Sequence, residues 1–323
     1  MSTQDKEPGK ATTKIMTPLP WQQSVWDQLS DRIDQHRLAH ALIFTGLEGI
    51  GKKHLATALA QRLLCQAEMN KYACGSCKSC QLMAVGNHPD LTFLEPEERG
   101  KAILIDPVRK LCDFLTKTSQ QGGWKVAVIS PAESMNINAA NALLKSLEEP
   151  QGQTLLILVS HRPGRVAATI RSRCQNVNLP LPEEATAQTW LNEITGQREA
   201  VAEVLELAGR RPLLALDYIQ SDTLELRRDF EALVDKLRMG EINALDAAQQ
   251  CQKLDADQAL DWFMSYLHRL VSGELKNRLQ PRFFAFSDKL NKAREWVLSG
   301  TNPNPQLLWE ELFMNWVMLF KQH

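Results

Sequence analysis

Residues 40–65, HALIFTGLEGIGKKHLATALAQRLLC, constrain the fold more than any other stretch of the 323-residue chain. Ala41–Thr45 reads as a buried strand and Gly46, Gly49 and Gly51 as a glycine-rich turn. Lys52 then opens a helix that places Leu55, Leu59 and Leu63 on one stripe. Strand, loop and helix in this order are the setting of a P-loop. Its glycines let successive N–H groups converge on phosphate oxygens, and the helix N-terminus adds partial positive charge. One position departs from that pattern. The residue after the lysine should be Ser or Thr, whose hydroxyl ligates magnesium, and here it is Lys53. An ammonium group cannot coordinate a cation. Gly46, Gly49, Gly51 and Lys52 are therefore a relic phosphate site, in which ATP binding without hydrolysis stays open.

A hydrolysing P-loop domain also needs an apolar strand ending in Asp-Glu, one carboxylate for the metal and one to polarise water. The strand that fits is 126–129, VAVI, and it is followed by Ser130, Pro131, Ala132 and Glu133. Neither carboxylate stands at the strand tip, and Glu133, four residues beyond it, is expected to be solvated. Two independent losses point the same way: no intrinsic ATPase.

Four of the seven cysteines lie together, Cys65, Cys74, Cys77 and Cys80. Their x8, x2, x2 spacing brings four thiolates within reach of one tetrahedral ion, and zinc fits best, with an iron–sulfur cluster as the other chemistry. Four protein ligands leave no open position, so the metal is expected to be structural. Cys112, Cys174 and Cys251 stand apart and read as packing residues.

The remaining strands and helices alternate. Leu91–Leu94, Ile103–Ile105, Lys125–Ser130, Thr154–Ser160 and Gln175–Leu179 read as strands. Helices are expected from Trp21 to about Arg37 (stripe Trp21, Val25, Leu29, Ile33), over Pro107–Lys117, over Asn138–Glu148 and over Arg165–Arg171. This alternation predicts a parallel three-layer α/β domain over 18–180, with the cysteine module at 65–80 inserted after the P-loop helix. Residues 1–17, polar and aperiodic, are expected to be disordered. Beyond Pro180 and Pro182 the period is helical: short helices over 181–222, then segments 223–238, 243–254, 256–275, 282–298 and 305–320. The last is apolar around much of its circumference, which suits either the core of its own bundle or a face for partner subunits.

Composition excludes several classes. A net charge of −1 argues against a surface that is wholly a nucleic-acid footprint. No apolar run reaches the roughly 18 residues that cross a bilayer, and MSTQDKEPGKATTK has no apolar signal core. A cytoplasmic location with reduced thiols is the expectation.

The segments HALIFTGLEGIGKK (40–53), the four-cysteine insertion, NAANALLKSLEEP (138–150) and RSRCQ (171–175) resemble the bacterial clamp-loader subunits of the AAA+ class. The resemblance is strong over 20–180, and the helical remainder agrees with that family's lid (181–222) and collar (223–323). Loss of both nucleotide-processing motifs resembles the non-motor kind of subunit; gamma and tau, the motors, keep an intact GKT and Asp-Glu pair. The resemblance implies a member of a five-subunit ring of the DNA polymerase III holoenzyme, with gamma/tau and delta as partners, loading the sliding clamp on primed DNA. It also implies that Ser172-Arg173-Cys174 carries an arginine finger, Arg173, reaching the ATP of the adjacent subunit; Arg165 and Arg171 rank below it. In motors of this class a lid helix supplies an arginine to the subunit's own nucleotide. Pro212 stands where that arginine is expected, after Arg210 and Arg211.

Two readings from other classes compete. An active P-loop ATPase, a motor loader subunit or helicase, needs the metal ligand that Lys53 cannot be. A zinc-dependent nucleic-acid module needs a basic patch, and the cysteine segment offers only Lys71 and Lys78.

Overall fold

The protein is described by a computed structural model covering residues 15–67, 71–98, 100–121, 123–196, 201–273, 281–298 and 303–320. A 3-10 turn (Pro20–Gln22) leads into α1 (Gln23–Asp34), β1 (Ala41–Thr45), α2 (Lys52–Leu64), α3 (Lys78–Ala84), β2 (Leu91–Leu94) and α4 (Ile105–Thr116). There follow β3 (Lys125–Ile129), α5 (Ile137–Glu148), β4 (Thr154–Ser160), α6 (Ala168–Arg171) and β5 (Gln175–Asn178). All five strands are parallel, in the order β2-β3-β4-β1-β5.

The three central strands are buried throughout, with apolar interiors, because both faces of the sheet are covered. Alternate side chains divide between two cores. Leu42, Phe44, Val126, Val128, Leu155 and Ile157 pack with Trp26 of α1 and Leu55 and Leu59 of α2. Ala41, Ile43, Ala127, Ile129, Leu156 and Leu158 pack with Leu111 of α4 and Leu143 of α5. Each large side chain buried in this way contributes roughly 1.5–3 kcal/mol relative to exposure. The parallel three-layer α/β sandwich expected from the strand–helix alternation is the fold.

Several local expectations are corrected. Residues 15–17, expected to be disordered, are placed on the domain. Ile15 and Met16 pack on the core around α2, and the Met16 N–H donates to Gln61 Oε1 at 2.7 Å. The rest of that segment, 1–14, lies outside the described residues. The buried line at and just before α1 runs through Gln22, Trp26, Leu29 and Ser30; of the expected stripe Leu29 is buried, Val25 and Ile33 pack partly on the core, and Trp21 turns its indole to the P-loop. Ile103 makes only an isolated bridge to Met135, and Ile105 already belongs to α4. The helix expected over 165–171 is a 3-10 turn, Pro163–Arg165, and a single helical turn, α6.

After β5 come α7 (Glu184–Thr195), α8 (Val201–Leu207), α9 (Pro212–Gln220), α10 (Thr223–Met239), α11 (Ala244–Cys251), α12 (Ala256–Ser272), α13 (Pro281–Leu298) and α14 (Pro305–Phe320). Two compact units result, Met1–Arg198 with Arg210–Leu214, and Glu199–Gly209 with Ala215–His323. Segment 181–222 contributes to both. In the second unit α10 to α14 enclose an aromatic core of Phe230, Trp262, Phe263, Phe286, Trp309, Phe313 and Trp316. Helix α14 is core of its own bundle along one side. Leu308, Trp309, Leu312, Phe313 and Trp316 are buried, while Leu307, Met314 and Met318 are exposed. No described helix is long and apolar enough to cross a membrane.

Candidate functional site

The loop between β1 and α2 carries three glycines at positive φ, and its lysine and several of its carbonyls are engaged by the chain itself. Gly51 caps α2 at φ 88°, and a Cβ there would lie 2.5 Å from Leu19 Cδ1 and 2.8 Å from Gln22 Nε2. Gly46, at φ 142°, leaves no room either: a Cβ would meet the Leu179 carbonyl oxygen at 2.5 Å. Both glycines are thus required by packing. Gly49 lies against Arg211 and Leu214, and its carbonyl accepts the Leu213 N–H at 2.9 Å, which places the 210–214 turn beside the loop. The carbonyl of Ile50 accepts Trp21 Nε1 at 2.9 Å and Gln22 Nε2 at 3.1 Å.

Lys52 is 2% exposed. Its ammonium donates to the carbonyls of Gly46, at 2.7 Å, and Leu47, inside its own loop. Burial pulls its pKa down to about 8, against the opposing charges of Glu133 and Glu48. Lys53 points elsewhere, into an ion pair with Glu95.

Glu133 is not a solvated carboxylate. Its Oε1 accepts the N–H groups of His161 at 2.9 Å and Arg162 at 3.0 Å, just past the end of β4, and its Oε2 is buried without a hydrogen-bond partner. It ties the turn after β3 to the turn after β4. Sequence reasoning missed this because the partners are 28 and 29 residues away and are backbone groups.

At the other end of the sheet, Arg173 precedes edge strand β5 and is partly exposed. Its Nε and Nη2 donate to Glu148 Oε1, at 2.8 and 2.6 Å, and its Nη1 donates to the Thr169 carbonyl at 3.0 Å. Glu148 ends α5 and Thr169 lies in α6, so two elements of the sandwich aim one guanidinium.

The four sulfurs of Cys65, Cys74, Cys77 and Cys80 lie within 4.8 Å of one another. The Cys65–Cys77 and Cys74–Cys80 separations are each 3.9 Å. Four sulfurs placed about 2.3 Å from one tetrahedral ion would stand about 3.8 Å apart, so the donor set fits zinc. Backbone N–H groups already point at the sulfurs: Cys74 N–H at Cys65, Cys77 N–H at Cys74, and Cys80 N–H at Cys77, at 3.3–3.4 Å. The Cys77 N–H is the main cause that holds the Cys74 thiol down at about 5, favouring the thiolate a metal takes. Burial pushes the Cys65 and Cys80 thiols up, and likewise the isolated Cys174 and Cys251, to about 11 and about 12.

The module is bolted to the sheet by residues that sequence reasoning passed over. The Asp90 N–H donates to His88 Nδ1 at 3.1 Å, which leaves the ring proton on Nε2, facing Ser79 Oγ at 2.8 Å. The Ser79 hydroxyl in turn donates to the Leu64 carbonyl. Asp90 is buried beside Lys125 at 3.3 Å and accepts from the N–H groups of Gln120 and Gln121. One signal was available: Asp90 and Lys125 stand at the starts of neighbouring strands β2 and β3. Helix α1 adds an ion pair, Asp27–Lys71 at 2.6 Å, and a stack of Trp26 on Tyr72.

A family model described as "DNA polymerase III, delta subunit" matches residues 21–183. The chain is 40% identical to DNA polymerase III subunit delta-prime of Pseudomonas aeruginosa, covering 93% of this chain and 97% of that protein. It is 33% identical to the delta-prime subunit of Escherichia coli K12, covering 91% and 94%. Against DNA polymerase III subunit tau of Salmonella typhimurium the identity is 29%, over 74% of this chain and 36% of that one.

Proposed function

Since the chain belongs to the delta-prime family of DNA polymerase III subunits, we propose that it is the non-hydrolysing member of the clamp loader. In that reading gamma/tau subunits bind and hydrolyse ATP, delta completes the ring, and the assembly opens and loads the sliding clamp on primed DNA in the cytoplasm. This chain contributes a rigid frame and one charge, Arg173, offered to the γ-phosphate on the adjacent subunit.

The observation that carries the reading is the state of Lys52. A phosphate ligand is useful when its ammonium faces the ligand, and this one is buried against the carbonyls of Gly46 and Leu47. Lys53 is paired to Glu95, and Glu133 is committed to backbone amides past the end of β4. An always-charged planar guanidinium at the opposite edge suits a phosphate on another chain.

The four cysteines hold zinc as a structural ion, which fixes the 65–80 segment as a unit. The nucleic-acid reading of that module is weakened by Lys71, one of its two lysines, being paired with Asp27. The lid extends over 181–222 and the collar over 223–323, where the exposed Leu307, Met314 and Met318 on α14 suit contact with neighbouring subunits.

The test is the reconstituted loader carrying Arg173→Ala. Hydrolysis at the one site facing this subunit should fall by roughly 10³–10⁵-fold, the usual contribution of a finger in trans. Bulk ATPase should fall much less, and clamp loading on primed DNA further than bulk ATPase. Arg173→Lys should also fail, and Arg171→Ala should be near neutral. Normal clamp loading by Arg173→Ala overturns the assignment.

A further inference from the structure

Arg173 is held in place by a carboxylate whose only described hydrogen-bond and ion-pair partner is that arginine. Glu148 is the last residue of α5, and its side chain is 50% exposed, so no burial requires it to be paired. A guanidinium carries five N–H donors. Here Nε and Nη2 converge on Glu148 Oε1 at 2.8 and 2.6 Å, and Nη1 reaches Thr169 O at 3.0 Å and Ser172 Oγ at 3.3 Å. The Nη1 contacts come from α6 and the residue following it, within four positions of Arg173 itself. The Glu148 contact comes from 25 residues away, on a helix whose Leu143 and Leu147 are anchored in the sheet core. Local contacts alone leave the long arginine side chain several rotamers, whereas the carboxylate ties its head to the rigid layer of the domain.

We propose that Glu148 is a positioning residue for the finger: it orients Arg173 before the neighbouring subunit's triphosphate arrives. The inference rests on the trans role proposed for Arg173. Glu148 itself touches no reacting atom. Its charge is not the point, because the phosphate supplies the larger charge once the site is assembled. What matters is an acceptor oxygen at that position, which Gln keeps and Ala removes.

Three variants of the full chain, Glu148→Ala, Glu148→Gln and Arg173→Ala, and the double variant Glu148→Ala/Arg173→Ala, are each reconstituted into the complete loader. Single-turnover hydrolysis is then followed across ATP concentrations. Glu148→Ala should lower the maximal rate at the facing site by roughly three- to tenfold, with the half-saturating ATP concentration unchanged, since ATP is bound by the neighbour's own loop. Glu148→Gln should restore most of that rate. In the Arg173→Ala background, Glu148→Ala should do nothing further, because a positioning group without its arginine has nothing to position. If Arg173→Ala is impaired while Glu148→Ala turns over at the normal rate, or if the two losses add, the positioning role is overturned and the finger stands. If Arg173→Ala is itself normal, the finger assignment fails.

Discussion

Strands β1 and β5 pair side by side, and the two ends of that pair have opposite fates. At the end where β1 finishes, a motif made to bind phosphate has turned inward: its lysine donates to its own loop, and its glycines are pressed against Leu19, Gln22 and Leu179. At the end where β5 begins, an arginine is left at the surface and is aimed by Glu148 and Thr169. Both groups are cations suited to phosphate, and sequence alone gives them similar standing. Burial separates them. A cation buried on backbone acceptors belongs to the fold, whereas one held at the surface by an exchangeable carboxylate remains available to a ligand. On the function proposed above, the difference teaches that a motif can persist for packing after its chemistry has gone.

The strongest way to break the comparison is to exchange the two cations' fates. In the reconstituted loader Arg173→Ala should cost the facing site its roughly 10³–10⁵-fold stimulation, while Lys52→Met should leave loader ATPase within about twofold of normal. A Lys52→Met loader as impaired as Arg173→Ala would mean that the relic loop still works on nucleotide.

The cysteine module is the third case, a motif whose donors all still face one point. Protein purified without chelators should carry about one zinc, and Cys77→Ser should lose most of it, as elemental analysis would read. Amide exchange should then quicken over 71–88, while far-UV circular dichroism stays near normal, since the module hangs from the end of α2 outside the sheet. Full zinc content in Cys77→Ser would remove that residue from the ligand set.

Much of this was legible from sequence, for local reasons. Apolar runs gave the central strands, helical periodicity gave the five C-terminal helices, and cysteine spacing gave the four thiols that the fold brings together. What escaped depends on partners distant in the chain. Glu133 looked solvated because the amides of His161 and Arg162 come to it only once β3 and β4 are paired. The stripe of α1 departs from expectation at its start because Trp21 and Gln22 answer to carbonyls of Ile50 and Gly51. Likewise, RSRCQ marks an arginine without showing that Glu148 orients it.

A smaller effect sharpens the burial argument for Lys52. Its pKa is about 8 in the folded chain and 10.5 ordinarily, so between those values the unfolded chain binds more protons. Stability should therefore rise as pH climbs through that window and be flat in this respect below it. Relative to Lys52→Met, the wild type should gain on the order of 2 kcal/mol from pH 8 to 10 in paired urea melts. A gap that does not change with pH would mean that Lys52 is hydrated and not internal.

The smallest expected effect is none at all, and it bears on whether the loop could be revived. Lys53→Thr restores the hydroxyl that a P-loop uses for magnesium, and it also removes the surface ion pair with Glu95, a change usually worth about 0–1 kcal/mol. ATPase of the isolated chain should nevertheless stay at background. The hydroxyl alone supplies one metal ligand, while Ser130 and Pro131 still stand where the second ligand and the water-polarising carboxylate are needed. Glu133 cannot move in to replace them without releasing the amides of His161 and Arg162 at the end of β4. The Lys52 ammonium would also have to leave the carbonyls of Gly46 and Leu47 before meeting a phosphate. Three separate obstacles must fall together, so single substitutions should show no gain. Magnesium-dependent hydrolysis by Lys53→Thr above that of the unmodified chain would show that only the hydroxyl was missing, and that the loop is a silenced motor site and not a structural remnant.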